Sequence, residues 1–278
     1  MPKVCLLSDG TFKLDGGAMH GVVPKALWEK QNQPDEKNRI LLAVNSLLIE
    51  YEKEKILIEP GIGSGHSEKF ASLYAIDKKR AILSDLNKLG ISPEEITMVV
   101  PTHLHFDHAG GVADWGTGKL LFPNARHIIQ EKEWEAAMNP HPKNQASYLP
   151  EFLEPLKKAK LEMIDGEKEI VPGVKLVLTG GHTHGHQAVF IETQDKVLAF
   201  PGDLIPTRAH VNPLWVMAYD VDPEKSIKMK RWLIENGTKE AWTFVLVHEP
   251  VEPVGKIKLE NNKYSFNSDR SGFLLCDI

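Results

Sequence analysis

"MVVPTHLHFDHAGG", residues 98–111, decides how this chain is read. An apolar run, Met98 to Pro101, leads straight into His103, His105, Asp107 and His108, three imidazoles and a carboxylate within six residues. Groups of that kind crowded at the end of a buried strand are costly to desolvate, so something other than the side chains has to compensate, and a metal ion is the candidate. His103 and His105 are two apart, so on an extended segment they face the same side and can chelate one ion. Asp107 and His108 are adjacent and would diverge on a continuing strand, so the chain must turn there, and the pair is expected to grip a second ion. The small residues Ala109, Gly110 and Gly111 then let the backbone pass close to the site and begin a helix.

Three further apolar runs end in the same way. "KLVLT" (175–179) runs into "GGHTHGH", "VLAFP" (197–201) into "GD", and "FVLV" (244–247) into "HE". Strand ends carried by a rigid sheet are where loops converge on a functional site. His182, Asp203 and His248 therefore join the first four, giving seven donors, enough for two metals. His103, His105 and His182 would hold one ion, Asp107, His108 and His248 the other, and Asp203 would bridge both. On spacing alone His184 and His186 compete with His182. Mixed imidazole and carboxylate ligation with open positions suits a catalytic metal, with Zn the default and Co, Mn or Fe acceptable to the same donors. His20, His66, His127 and His141 lack clustered partners and default to packing or surface roles; His210 is unassigned.

The rest of the chain supplies the scaffold. Strands are expected within "VCLLS", "ILLAVNSLLIEY", "ILIEPGIGSG", "ITMVVP", "ARHIIQ", "LEMIDG", "VKLVLTGGH", "QAVFIET", "KVLAFPGD" and "AWTFVLVHEP". Ile82, Leu86 and Leu89 fall on one helical face ended by Gly90, and Ser92 to Glu95 has the form of a capping box with Pro93 at the first helical position. A second helix follows Asp222 as N-cap and Pro223, with Gly237 placed to end it. Strand blocks and helices alternate in two similar halves, which predicts an α/β fold with sheet packed on sheet and helices outside. No fixed-period repeat or long linker divides the 278 residues, so a single domain over 1–278 is expected. A net charge of -5 and the absence of a basic stripe argue against nucleic acid. No apolar run reaches the roughly 20 residues of a membrane span, and the N-terminus is too short in apolar residues for a signal peptide, so the expectation is a cytoplasmic protein with no membrane contact. Cys5 and Cys276 stand in separate strand-like runs and read as two packing thiols rather than a disulfide.

The motif "HLHFDH", followed in order by "TGGHTHGH", the strand-end "PGD" and the histidine of "VLVHEP", resembles the metallo-β-lactamase superfamily and its H-x-H-x-D-H hallmark. The resemblance implies a four-layer αββα sandwich with a dinuclear site at one edge. It assigns the ligand role to His182 rather than His184, and a supporting role to His186. "DGGAMHGVVPKALWEK" (15–30) and "DLIPTRAHVNPLWVMAYD" (203–220) are similar to the branch of N-acyl-homoserine lactone hydrolases and methyl parathion hydrolases, with His20 where that branch carries an aromatic. The implied activity is the opening of a lactone ring by a water that two cations acidify, with Asp107 carrying a proton to the leaving oxygen. The apolar segments "GVVPKALW" (21–28) and "NPLWVMAY" (212–219) are expected to wall an acyl-chain pocket through Val22, Leu214, Trp215 and Met217. Hydrolysis of organophosphates or other esters at the same site is the alternative, and a non-catalytic metal-binding domain a more distant one. Branch members are often dimers, and the proline-rich stretch after Asn139 could contribute to a homodimer contact.

Overall fold

The aliphatic runs pair into two sheets in the computed structural model, which describes residues 1–193, 196–269 and 276. The first contains, in spatial order, β1 (Lys3–Asp15), β2 (Arg39–Tyr51), β3 (Glu54–Ile58), β4 (Met98–Val100), β5 (Arg126–Gln130) and β6 (Lys160–Ile164). β1 to β3 form an antiparallel meander, and β3 to β6 run parallel. The helices of this half are α1 (Gly16–His20), α2 (Lys25–Trp28), α3 (Glu68–Leu73), α4 (Ile82–Lys88), α5 (Phe106–Ala109), α6 (Glu131–Met138) and α7 (Pro150–Leu156). The second sheet contains β7 (Glu167–Val171), β8 (Val174–Leu178), β9 (Gln187–Glu192), β10 (Val197–Phe200), β11 (Thr243–Val245), β12 (Val254–Glu260) and β13 (Lys263–Ser268), each beside the next. It is antiparallel except between β10 and β11, which are joined through α8 (Pro223–Lys239).

The two sheets stack, and alternation along each strand serves two cores. On β4, Met98 and Val100 enter the core between the sheets, where Leu47, Ile49, Ile56 and Ile58 meet Val174, Val189, Ile191 and Phe200. Val99 points the other way, into a core with Leu7, Phe12, Leu42, Leu86 and Phe152 beneath the helices of the first half. On the far side of the second sheet, Phe190 and Phe244 pack against Leu233 and Ile234 of α8. The result is the four-layer αββα sandwich. Strands covered on both faces read as unbroken apolar runs, which is why they are prominent in the sequence.

The expected caps are present. Gly90 follows α4 with φ +71°, Ser92 and Glu95 complete the capping box, and the Asp222 side chain accepts from Lys225 N–H. Gly237 is different: α8 continues through it to Lys239, and a Cβ there would lie 2.4 Å from Cζ of Phe244. That glycine is a packing requirement rather than a stop. The hairpin β12–β13 has no counterpart in the sequence reading. Its strands are largely polar, and its turn is formed by Asn261 and Asn262, both with positive φ, the geometry favoured between antiparallel strands.

The cysteine expectation is corrected. Cys5, fully buried on β1, is disulfide-bonded to Cys276, with Cα atoms 5.0 Å apart across a sequence separation of 271 residues. Linear distance concealed the proximity of Cys276 to the first strand. Among the described residues, no helix is long and apolar enough to cross a membrane. Because the crosslink closes a loop of nearly the whole chain, its reduction should cost about 2–4 kcal/mol of stability. Urea unfolding with and without a thiol reductant would show this as a lowered midpoint, and superimposable curves would rule it out.

Candidate metal centre

β4 ends at Val100, and residues 101–105 are irregular before His105 caps the N-terminus of α5 at φ -69°, ψ 154°. The turn into α5, not strand alternation, therefore brings the motif's donors to one place. That turn depends on a close backbone approach: Gly61 N–H donates to His108 O and Gly111 N–H to Gly61 O, and a Cβ on Gly111 would lie 2.0 Å from the Pro60 carbonyl oxygen. The ends of the other three runs meet it. Ligand atoms of His103, His105 and His182 lie within 4.8 Å of one another, as do those of His103, His108 and Asp203, and those of Asp107, His108 and His248. All seven are buried, none more than 6% exposed.

The hydrogen bonds behind the rings fix which nitrogen each ring presents. His182 Nδ1 faces Asp220 Oδ1 at 2.9 Å, His108 Nδ1 faces Glu59 Oε1 at 3.2 Å, and His248 Nδ1 faces the Ala43 carbonyl at 2.8 Å. His103 Nδ1 faces Thr102 Oγ1 at 3.0 Å, and that hydroxyl gives its own proton to Glu59. Each of these partners accepts, so each Nδ1 carries the ring proton and each Nε2 is left as a lone pair. Those lone pairs converge on Asp203. Its Oδ1 is 3.1 Å from His248 Nε2 and 3.3 Å from His108 Nε2, and its Oδ2 is 3.3 Å from His182 Nε2. His248 Nε2 and His108 Nε2 are 3.1 Å apart. Nitrogen and oxygen lone pairs facing one another at such distances repel unless positive charge lies among them. Among the described residues, His103 Nε2, His105 Nε2 and Asp203 Oδ1 are buried without a hydrogen-bond partner. The donor set fits divalent cations.

Titration behaviour agrees. Burial, reinforced by neighbouring imidazoles, holds His103 and His105 well below their usual range, in the neutral form that ligates. Burial also pushes His108 and His182 down, but Asp203 with Asp107 and Glu59 outweighs it at His108, and Asp203 with Asp220 at His182, so both lie above the usual range. Without a cation the cluster recruits protons in its place. Asp203 stays ionised: burial opposes its charge, and His108, His248 and His182 more than offset it.

Several supports escaped the sequence reading. Glu133 Oε1 accepts from Leu104 N–H at 2.8 Å and from Tyr148 O–H at 2.9 Å, and its Oε2 accepts from Thr183 O–H. One carboxylate thus braces the loop between His103 and His105 and the loop after His182. Glu59, at φ +59°, also receives Thr102 N–H. Glu59 and Asp220 end "ILIE" and "MAYD", the same strand-end or segment-end pattern that marked the donors; nothing local marks Glu133. His186 Nε2 accepts from Asp203 N–H at 3.1 Å, while its Nδ1 donates to Thr179 Oγ1 at 2.7 Å, so it holds the carboxylate's backbone. His184 is exposed.

A cavity of about 320 Å³ opens on the donors and is lined by Asp107, His182, Asp203 and His248 together with Leu14, Met19, Tyr74, Phe106, Asn144, Ser147 and Tyr219, among others. The four residues expected as its wall do not line it. Val22 is 91% exposed, Leu214 and Trp215 face a separate groove, and Met217 is buried in the core under the first sheet. The stretch 212–219 contributes its last two residues instead, Ala218 and Tyr219, because Ala218 N–H is fastened to Ala18 O beside the cavity. His20 is stacked between Trp28 and His210, with ring centroids 5.0 and 5.1 Å away, and His210 Nε2 donates to Met19 O at 2.8 Å. His210 thus holds the backbone of Met19, His20 is fastened to Gly16 O and Asn32, and neither histidine lines the cavity.

The sequence profile described as the metallo-beta-lactamase superfamily matches residues 39–248, which contain all seven donors. The chain belongs to the metallo-beta-lactamase superfamily. Within it, an N-acyl homoserine lactonase of Bacillus cereus is 35% identical over 171 residues, 58% of this chain. The match spans 63% of that relative's length, a little under two thirds. Among solved structures, a "probable metal-dependent hydrolase" from Staphylococcus aureus superposes with a TM-score of 0.86 at 35% identity, covering 96% of this chain and 98% of that one. An N-acyl homoserine lactone hydrolase with the product N-hexanoyl-L-homoserine bound at its catalytic metal center superposes at 0.69 and 27% identity, covering 89% and 93%.

Because Asp220 fixes the proton of His182, Asp220→Ala should weaken metal binding about 10- to 100-fold while leaving the fold intact. Competition with a chromophoric chelator reads the affinity and circular dichroism the fold; an unchanged affinity would show that the carboxylate does not orient the ligand.

Proposed function

We propose that the chain, as one unit over residues 1–278, is a hydrolase that opens lactone rings, N-acyl-homoserine lactones in particular, at a centre of two divalent ions, zinc first among Zn, Co, Mn and Fe. The observation that carries this reading is the placement of Asp203. Its two oxygens address two different imidazole groups, Oδ1 toward His108 and His248 and Oδ2 toward His182, so one carboxylate lies between two sets of donors. In this reading His103, His105 and His182 hold one ion, Asp107, His108 and His248 the other, and Asp203 both. Divalent ions in such a donor set supply Lewis acidity that makes a water nucleophilic near neutral pH and polarises an ester carbonyl.

The chain's own residues supply position, exclusion of water and proton movement. Asp107 Oδ2 lies 3.5 and 3.6 Å from Nε2 of His248 and His108, and the carboxylate borders the cavity, where it can accept the proton lost by the attacking water and hand it to the departing alkoxide. Tyr74 and Tyr219 border the same space. Burial, with Asp107 nearby, holds both phenols above their usual range, so they remain protonated donors. Leu14, Met19 and Phe106 give the cavity apolar surface suited to an acyl chain. No serine or cysteine nucleophile is required. The relative with N-hexanoyl-L-homoserine at its metal center supports the choice of substrate.

The test is to supply metal-loaded protein with acyl-homoserine lactones of several chain lengths and follow acid release. Ring opening is expected, and Asp107→Asn should lower kcat by roughly 100-fold or more with little change in melting temperature. Turnover of a phosphotriester with no ring opening in any lactone would replace this reading with organophosphate hydrolysis at the same donors.

A further inference from the structure

One short segment is tied at both ends to the groups that orient the donors. At its start, Lys143 Nζ donates to the backbone carbonyl of Asp220, whose carboxylate holds His182. At its end, Tyr148 is buried with its ring 5.0 Å from that of His105, and its hydroxyl donates to Glu133, which also holds Leu104 between His103 and His105. Asn144, Ala146 and Ser147 span the interval and line the cavity. Residues with little regular structure, apart from a single 3-10 turn over Gln145–Ser147, are therefore set in register with the group formed by His103, His105 and His182.

The polar character of this segment contrasts with the apolar lining from Leu14, Met19, Phe106 and Ala218. Asn144 Oδ1 is buried and, among the described residues, has no hydrogen-bond partner. Buried polar atoms are almost always paired, so a carboxamide oxygen without a partner beside a cavity leaves an acceptor that a ligand could satisfy. The ligand's chemistry can be narrowed. A carboxamide donates through nitrogen and accepts through oxygen and can turn to present either, which matches a neutral amide.

We propose that residues 143–148 recognise the acylamino group of the substrate, with the Asn144 carboxamide hydrogen-bonding that amide, an assignment that rests on the lactonase reading. In an N-acylated amino lactone the amide sits on the carbon next to the ring carbonyl. Holding it fixes which way that carbonyl faces the donors, so recognition and orientation are one event.

The test uses metal-replete full-length protein and two substrates: an N-acyl-homoserine lactone, and an alkyl γ-lactone of matching chain length that lacks the amide. Wild type should favour the amide-bearing lactone in kcat/KM, and Asn144→Leu and Asn144→Ala should each shrink that preference about tenfold. The two variants are read in parallel with metal content and melting temperature, so loss of fold in one leaves the other to decide. A wild type without preference, or a preference that survives in a folded variant, overturns the role of Asn144 and leaves the lactonase reading standing. A wild type that opens neither lactone overturns the lactonase reading, and this assignment with it.

Discussion

Everything at this site follows from the convergence of imidazole lone pairs on one carboxylate. Four rings are each pinned from behind, by Asp220, Glu59, Thr102 and the Ala43 carbonyl, so that their protons point away and their Nε2 atoms point inward. Folding alone cannot pair those atoms with one another, since all are acceptors. Cations entering there would release free energy that helps to hold the four strand ends together. The sandwich supplies rigidity, and the site supplies the reason for the termini of β4, β8, β10 and β11 to meet.

The rear supports form a connected set rather than a ring of separate pairs. Glu59 serves His108 directly and His103 through Thr102. Glu133 joins the loop between His103 and His105 to the loop after His182, and His186 holds the backbone of Asp203. A displacement at one donor is therefore shared with the others, which would suit the two-ion centre proposed for these residues. Supports of this kind set both orientation and ligand strength.

Much of this was legible in the sequence, and the reasons are specific. Strands covered on both faces leave continuous aliphatic runs, and donors placed directly at their ends leave histidines and aspartates in a fixed relation to those runs, so the sandwich and the seven donors could be read together. Partners defined only by the packing of distant loops left no such trace. Glu133 lies in a charged helix among other glutamates, and Cys276 meets Cys5 across a sequence separation of 271 residues. The expected acyl wall failed for a related reason. Apolar character singled out the segments 21–28 and 212–219, yet Val22, Leu27 and Leu214 lie exposed and it is Ala218 and Tyr219 that reach the cavity, because hydrophobicity does not say which of several consecutive residues turns inward; the 143–148 segment entered the lining through its anchors rather than its composition.

The central claim is that cations, and not protons or hydrogen bonds among side chains, reconcile the inward-facing acceptors around Asp203. Elemental analysis of the purified chain after removal of loosely held ions tests it most directly. The account predicts close to two divalent metal ions per chain. A well-folded chain that retains none would contradict it.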